Sequence, residues 1–567
     1  MPDLPSRFTL FGPGSEPPPS LRPDPSPLLL APRLPVEDVA AILSAFRLTD
    51  VKRADVNIQS MAGEPRSRTA LAAILKEVLE AGAATADPDQ ALTHWDRFIH
   101  TAGNRTQLYQ YLAATPRVLH LLATVFGNSP YLSDTLIRDP LLVYWLAEEP
   151  VIETGPSSRD LERELRAVLT NVIATELKLD ALRRFKRRQM LRIGVRDLMR
   201  VASVPDTTGA LSNLAAALIQ SAYDIAHADL RRQYGQPMHR DRKGKPVDTH
   251  FAVIAMGKLG GGELNFSSDV DLIYVYESED GKTRPVKGCG KTKGLSSEEY
   301  FEYLARGITQ ALSGQTHEGS VFRVDLRLRA EGSVGQLARS LGGYRQYYRT
   351  RGQWWERQAL LKAWPIAGDR KLGLAFLRMV KPFIFGRSGT PPDDDRAAIE
   401  EIKGIKAMID DKMAGRGHER RNVKLGIGGI REIEFLVQAV QIVFGRRLPG
   451  ILDRNTLGAL TRFRRTGLLS EEEAAALTDA YTFLRDVEHK LQMVHDLQTH
   501  AIPESRDERI QCAVRLGYPA QHRGQALEQF LADHRRHTEE VNRMFRTLVD
   551  SPDRSSVLQA ALRKSKR

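Results

Sequence analysis

From residue 37 to about 240 the apolar positions of this chain recur three and four apart, the spacing of a helix face rather than of a strand. The pattern predicts helices over 36–46, 70–81, 117–126 and 158–179. Further on, Leu211, Leu214, Leu218, Ile219 and Ile225 make one apolar stripe, with Thr207 and Thr208 placed to cap its start. Between 241 and about 340 the texture changes. The run 251–256 (FAVIAM) is short and wholly apolar, while 269–276 (DVDLIYVY) and 321–329 (VFRVDLRLR) are rich in residues that favour strands. A polar, Gly- and Lys-rich stretch over 282–297 reads as a loop, and 298–312 as a helix. Helical spacing returns beyond 341. Tyr344, Tyr347, Tyr348 and Trp355 form an aromatic stripe suited to a core, and helices are expected over 394–414, 430–444, 471–498 and 525–548.

Proline sets the outer boundaries. Residues 1–36 hold 11 of the 30 prolines, which block helix and remove donors, so they read as an extended or disordered arm. Pro391-Pro392 marks the passage from the mixed region to the second helical one. The expected organisation is an arm (1–36), a helical region (37–240), a mixed core (241–390), a helical bundle (391–550) and a basic tail (551–567) whose end, 563–567, is solvated. The fold class is α+β, mostly α-helical. A length of 567 residues favours about three to four domains.

Composition narrows the partners. Lys and Arg number 82 against 70 Asp and Glu, a net charge of +12. This favours phosphate-bearing or acidic partners, but the basic residues are spread along the chain, which argues against nucleic acid. The densest run, Arg183, Arg184, Lys186, Arg187, Arg188 and Arg192, reads as a solvated helix face. Only Cys289 and Cys512 occur, so a disulfide scaffold is excluded and a reducing cytoplasm is the expected compartment. No apolar run approaches the ~20 residues of a membrane span, and the amino terminus lacks a secretory pattern.

The chemistry concentrates in 257–271 (GKLGGGELNFSSDVD). Asp269 and Asp271, two apart on a strand, point the same way with Cα atoms roughly 6.6 Å apart. At an effective dielectric of ~20 two such charges repel by about 2.5 kcal/mol, which a bound Mg²⁺ would relieve. In VFRVDLRLR the alternation sends Phe322, Val324, Leu326 and Leu328 to one face and Arg323, Asp325, Arg327 and Arg329 to the other. That second face offers a third carboxylate beside guanidinium groups, which suit phosphate. The glycine run between two strands lets backbone N–H groups approach a phosphate chain, with Lys258 adding charge and Ser267 and Ser268 adding hydroxyls. Three carboxylates on neighbouring strands suit metal-dependent nucleotidyl transfer. Other runs do not carry chemistry. Residues 288–292 (GCGKT) lack the first glycine of a P-loop because position 285 is Pro285. Residues 426–429 fail the dinucleotide pattern at Arg431. His489, His495, His534 and His537 lack partners for a zinc site and read as structural.

Five runs resemble the glutamine synthetase adenylyltransferase / adenylyl-removing enzyme family: 256–274 (MGKLGGGELNFSSDVDLIY), 321–340 (VFRVDLRLRAEGSVGQLARS), 349–369, 423–438 (VKLGIGGIREIEFLVQ) and 483–503 (FLRDVEHKLQMVHDLQTHAIP). The resemblance covers most of 100–550. It implies a nucleotidyltransferase core of the DNA polymerase β type between helical domains. It also implies Asp269, Asp271 and Asp325 as Mg²⁺-binding carboxylates. Gly257, Lys258, Gly260, Gly261, Ser267 and Ser268 match the nucleotide-binding turn, with Arg327 and Arg329 as phosphate-binding candidates. Ala330 stands where the family tends to have proline. The implied partners are glutamine synthetase, ATP, ADP and phosphate, with a PII-type signal protein as a further candidate. Members carry two such cores, one removing AMP and one attaching it. One such run is present here, and ELNFSSDVDLI is more similar to the amino-terminal core. The expected reaction is therefore phosphorolytic removal of AMP from an adenylyl-tyrosine. The alternatives are adenylylation by this single core, or a non-catalytic half that binds glutamine synthetase or PII protein.

Overall fold

The computed structural model describes residues 22–286, 294–386, 421–550 and 555–565. The expected helix over 394–414, the Pro391-Pro392 boundary, the 288–292 run and Cys289 lie outside the described residues. What is described is mostly α-helical with two small sheets.

The first helical region is punctuated by its caps. Pro65, Pro88, Pro116 and Pro130 each open a helix where the missing N–H costs nothing. Asp50, Asp87, Asn104, Ser129 and Ser157 each accept the backbone N–H three residues on. Two expectations are corrected here. Helix 158–179 is two helices, Ser158–Thr170 and Thr175–Leu198, broken at 171–174. The long helix Val204–Tyr234 is capped by Ser203, in a reciprocal box with Asp206, so Thr207 and Thr208 lie inside it. Of the expected arm, residues 1–21 lie outside the described residues, and Pro27–Leu30 is a helical turn whose Leu28 and Leu29 are buried in the core.

Of the basic run only Arg184 is exposed, so the run is not a solvated face as a whole. Thr175–Leu198 passes through the interior, and its guanidinium groups satisfy carbonyls that would otherwise be stranded. Arg183 donates to Gly319 O and Leu179 O, both at 2.7 Å. Arg192 donates to Val151 O and Thr154 O, both at 2.8 Å. Arg188 lies over the Trp145 ring at 4.1 Å and Lys186 over Phe322 at 5.1 Å.

The larger sheet runs β6 (Val324–Asp325), β4 (Val270–Tyr276), β3 (Phe251–Ala255), β8 (Trp364–Gly368), with β7 (Ala338–Ser340) also on β4. β3 is antiparallel to β4 and β8, while β6 and β7 run parallel to β4 at its start and end. Both faces are covered, which is why β3 reads as a continuous apolar run. Phe251, Val253, Leu272 and Tyr274 pack towards helices Val204–Tyr234 and Ser297–Ser313. Ala252, Ile254, Ile273 and Val275 pack with Tyr344, Tyr348 and Phe376. The smaller antiparallel sheet is β2 (Pro246–Asp248), β1 (Gln236–Arg240), β5 (Lys282–Arg284), so the start of the expected 282–297 loop is a strand.

The strand expected over 321–329 shrinks to β6. Beyond Asp325 no further strand pairs with it, and the Arg327 N–H turns back to Asp325 Oδ1 at 2.8 Å. The carboxy-terminal region packs Ile430–Phe444, Thr456–Arg465, Glu471–Gln492, Arg506–Leu516 and Arg523–Asp550 around their own apolar core. Ser556–Ser565 is a helix whose Val557, Leu558, Ala561 and Leu562 join that core while Arg563 and Lys564 stay exposed. The expected basic tail is thus docked along its apolar side, with its charged end at 563–564 exposed as expected. No helix of the described residues is long and apolar enough to cross a membrane.

Candidate functional site

The site forms where β3 ends and β4 begins. After Ala255 the chain makes one helical turn, Gly257–Gly261, and the Met256 N–H is tied to Asp271 O at 2.9 Å. Gly257 has φ +53°, and a Cβ there would stand 2.4 Å from Asp271 Oδ2. Only glycine lets the turn pass that carboxylate. A Cβ on Gly260 would stand 2.0 Å from Lys362 O, so this glycine seats the turn on the chain leading to β8.

Asp271 pairs in register with Asp325 across the parallel β4–β6 ladder, so the two residues sit one strand spacing apart, about 4.8 Å. Asp269 precedes β4 on the same side. Its Oδ1 accepts from Arg323 Nε at 2.6 Å, and Arg323 Nη2 also donates to Ser267 O at 2.6 Å. Asp325 accepts from Arg327 Nε and Nη2, with its Oδ2 at 2.9 and 2.5 Å. That hydrogen bonding holds the Asp325 carboxyl below its usual range. Asp271 differs from both, having no side-chain hydrogen bond or ion pair among the described residues. Burial, with Asp325 and Asp269 nearby, pushes its carboxyl up to about 6.

Among the described residues no three His, Cys, Asp or Glu side chains stand at ready metal-ligating spacing. Arginines occupy two of the three carboxylates, and the third is raised by its neighbours. All-oxygen donors suit a hard divalent cation, and Asp271 has the character of a carboxylate lacking its counter-charge.

The other expected residues fall into two groups. Arg327 is exposed beside the carboxylates. Lys258 instead turns away from the carboxylates, with Nζ 2.9 Å from both oxygens of Glu488, whose side chain is fully buried. Arg329 is buried and donates to Leu326 O, Ser333 O and Gly335 O, capping the loop rather than facing a ligand. Ser267 is buried, its hydroxyl donating to Asp496 O at 2.7 Å. The Ser268 hydroxyl accepts from the Asn265 N–H at 3.3 Å. Ala330, the departure from the family pattern, is buried in the core under β4. His489 bears out its structural reading: it is fully buried edge-on to Phe266, and burial lowers its pKa to about 3.

Spacing alone missed a buried charge network behind the glycine turn. Glu488 also stands 2.9 Å from His500 Nδ1 and 3.4 Å from Arg485 Nε. Arg485 Nη2 donates to Glu263 O at 2.6 Å and to Asn265 Oδ1. Lys362 Nζ reaches Glu263 Oε2 at 2.6 Å and Glu434 Oε1 at 2.9 Å. Arg454 donates to Gly260 O, and the Thr456 N–H to Glu263 Oε1. The carboxy-terminal helices therefore grip residues 258–267 along their length. In sequence, Arg485 and Glu488 look like an ordinary i,i+3 surface pair.

Residues 119–379 match the family model described as glutamate-ammonia ligase adenylyltransferase. Residues 403–549 match that of the GlnD PII-uridylyltransferase. Similar proteins include the bifunctional glutamine synthetase adenylyltransferase/adenylyl-removing enzyme of Nitrosococcus oceani, 37% identical over 424 residues, or 75% of this chain and 42% of the relative. The protein of that name from Pseudomonas aeruginosa is 35% identical over 437 residues, 77% of this chain and 42% of the relative. That from Xanthomonas campestris pv. campestris strain B100 is 37% identical over 424 residues, covering 73% and 41%. The chain matches well under half the length of these relatives.

Proposed function

We propose, from the match of residues 119–379 to the glutamate-ammonia ligase adenylyltransferase family, that the chain regulates glutamine synthetase by metal-dependent nucleotidyl transfer. The preferred reaction is removal of AMP from an adenylyl-tyrosine of that enzyme by phosphorolysis. The observation that carries the reading is the register that sets Asp271 beside Asp325, with the Gly257 turn against the Asp271 carboxylate. A glycine turn after one strand, two carboxylates at the start of the next and a third on a parallel neighbour support a nucleotidyltransferase core of the DNA polymerase β type.

Asp269, Asp271 and Asp325 would hold Mg²⁺, with Asp269 and Asp325 sharing their oxygens with Arg323 and Arg327. When bound, the cation supplies stabilisation of the charge that develops on the transferring phosphoryl group. An oxygen of inorganic phosphate forms the new bond to the AMP phosphorus, and the bond from that phosphorus to the tyrosine oxygen breaks. The departing phenolate takes up a proton, leaving ADP and unmodified glutamine synthetase. Arg327 is the guanidinium exposed enough to meet phosphoryl oxygens.

The wording ELNFSSDVDLI at 263–273, similar to the AMP-removing core, supports the direction. Attachment of AMP from ATP is the second reading, favoured by the bifunctional name of the relatives. The match of 403–549 to a PII-uridylyltransferase model supports a PII-type signal protein as a regulatory partner. The test is ADP release from adenylylated glutamine synthetase with phosphate and Mg²⁺. ADP is expected with the wild-type chain and not with Asp271→Ala. Equal rates from both would refute the site. Label transfer from ATP to unmodified glutamine synthetase, without ADP release in the first assay, would establish the second reading.

A further inference from the structure

Most charges around the glycine turn are paired off among the described residues, and the half-buried Lys186 lies over the Phe322 ring. Asp269 is matched by Arg323, Asp325 by Arg327 and Lys258 by Glu488. Asp271 and Lys424 remain, and neither has a side-chain hydrogen bond or ion pair among the described residues. Lys424 is half-buried.

Lys424 is presented by a fixed turn. The Val423 N–H donates to His500 O at 2.9 Å, and Asn422 bridges to Ala501. Asn422 Oδ1 accepts from the Lys424 and Leu425 N–H groups at 3.0 and 2.8 Å. Gly428, with φ +71°, lies so close to the Arg523–Asp550 helix that a Cβ there would stand 1.8 Å from Thr538 O. His500 in turn meets Glu488, Glu488 meets Lys258, and Lys258 adjoins the glycine that abuts Asp271. This chain of contacts brings Lys424 to the edge of the carboxylate site. Lys424 lies within electrostatic reach of Asp271, Glu488 and Lys258.

We propose that Lys424 is a phosphate-binding residue of this site, supplied by the carboxy-terminal helical region, which receives the phosphoryl oxygens of a metal–phosphate ligand held at Asp271. The proposal rests on the nucleotidyl-transfer reading above and assigns to Lys424 the role that position alone suggests for Lys258. An unmatched carboxylate and an unmatched ammonium that do not meet each other fit a ligand with a cation at one end and phosphoryl oxygens at the other. A divalent metal bound to a nucleoside diphosphate has that polarity. An apolar or simple anionic ligand would leave one of the two groups without a counter-charge.

The test is calorimetric titration of the full chain with ADP in excess MgCl₂, comparing wild type, Lys424→Met, Lys424→Arg and Asp271→Asn. Lys424→Met is expected to weaken binding at least about tenfold, or ~1.4 kcal/mol, with the unfolding temperature of the unliganded protein unchanged. Lys424→Arg is expected to stay within about threefold of wild type, because the charge is retained. Binding by Lys424→Met equal to wild type, with binding lost in Asp271→Asn, overturns the proposal and leaves the site reading standing. A loss in Lys424→Met accompanied by a lower unfolding temperature and no rescue by Lys424→Arg assigns a structural role and overturns it too. No binding of Mg·ADP by the wild-type chain refutes both.

Discussion

Asp271→Asn should make the unliganded protein more stable at neutral pH while abolishing its activity. The Asp271 carboxyl rises from 3.8 to about 6 in the folded chain, chiefly through burial and then through Asp325 and Asp269. Between pH ~4 and ~6 the folded state therefore holds a proton that the unfolded chain has released. Stability falls as pH climbs through that window and is level above it. A rise of about two pH units at ~1.36 kcal/mol each corresponds to roughly 3 kcal/mol lost by neutral pH. A neutral amide of similar shape removes that penalty without opening a cavity. Urea unfolding of both proteins at pH 4.0 and 7.5 is the assay. The two should match at pH 4.0, and Asp271→Asn should be about 2–3 kcal/mol more stable at pH 7.5, after allowance for the imperfect fit of the amide. The reasoning fails if Asp271→Asn is no more stable than wild type at pH 7.5, or if its gain is the same at both pH values.

Glu488→Gln should destabilise the protein by about 3–5 kcal/mol, because it leaves Lys258 and Arg485 as buried cations without their counter-charge. Glu488 is held well below its usual range, so this contribution is present above pH ~4.5 and fades as pH falls towards the folded value. Urea titrations at pH 7 and at pH 3 would measure both claims. Gly257→Ala should reduce ADP release at least about tenfold, since the added Cβ collides with Asp271 and meets a left-handed φ that costs ~1–2 kcal/mol. Circular dichroism would separate that loss from unfolding. Leu558→Ala should cost about 2–5 kcal/mol, as for a buried core leucine. An unfolding midpoint unchanged from wild type would mean that Ser556–Ser565 does not dock as described.

Which parts of this molecule its sequence disclosed depends on how far away the deciding partner lies. β3 and β4 were legible because a strand buried on both faces writes its burial into consecutive apolar positions, here 251–255 and 272–276. Asp271 follows from that, being placed by the strand that carries it, with Asp269 just before its start. The VFRVDLRLR alternation was just as regular, yet only Val324–Asp325 pairs, because a strand needs a neighbour and Asp325 itself turns the chain through Arg327. Thr207–Thr208 lost to a stronger local signal, the Ser203–Asp206 box with Pro205 in the first turn. Charged residues were the least legible. Arg183 is buried because Gly314 O and Gly319 O need donors, and those carbonyls lie more than a hundred residues away.

Lys258 sharpens the point. Its place next to Gly257 suggests a phosphate contact, and nothing local contradicts it. Its partner Glu488 is 230 residues further on, in a helix whose charge pattern looks like a solvated surface. A nucleotidyl-transfer site needs both carboxylates and cations, and the two are specified differently here. The carboxylates are set by strand register, which a short run of sequence encodes. The cations are set by which ammonium or guanidinium remains unmatched once the helical region has closed on the glycine turn. That region satisfies Lys258 with Glu488 and Lys362 with Glu434, Glu263 from beside the turn also pairing Lys362, and leaves Lys424 without such a partner among the described residues. The carboxy-terminal helices thus do more than cover the core: they match Lys258 and Lys362 beside the glycine turn and leave Lys424 unmatched among the described residues.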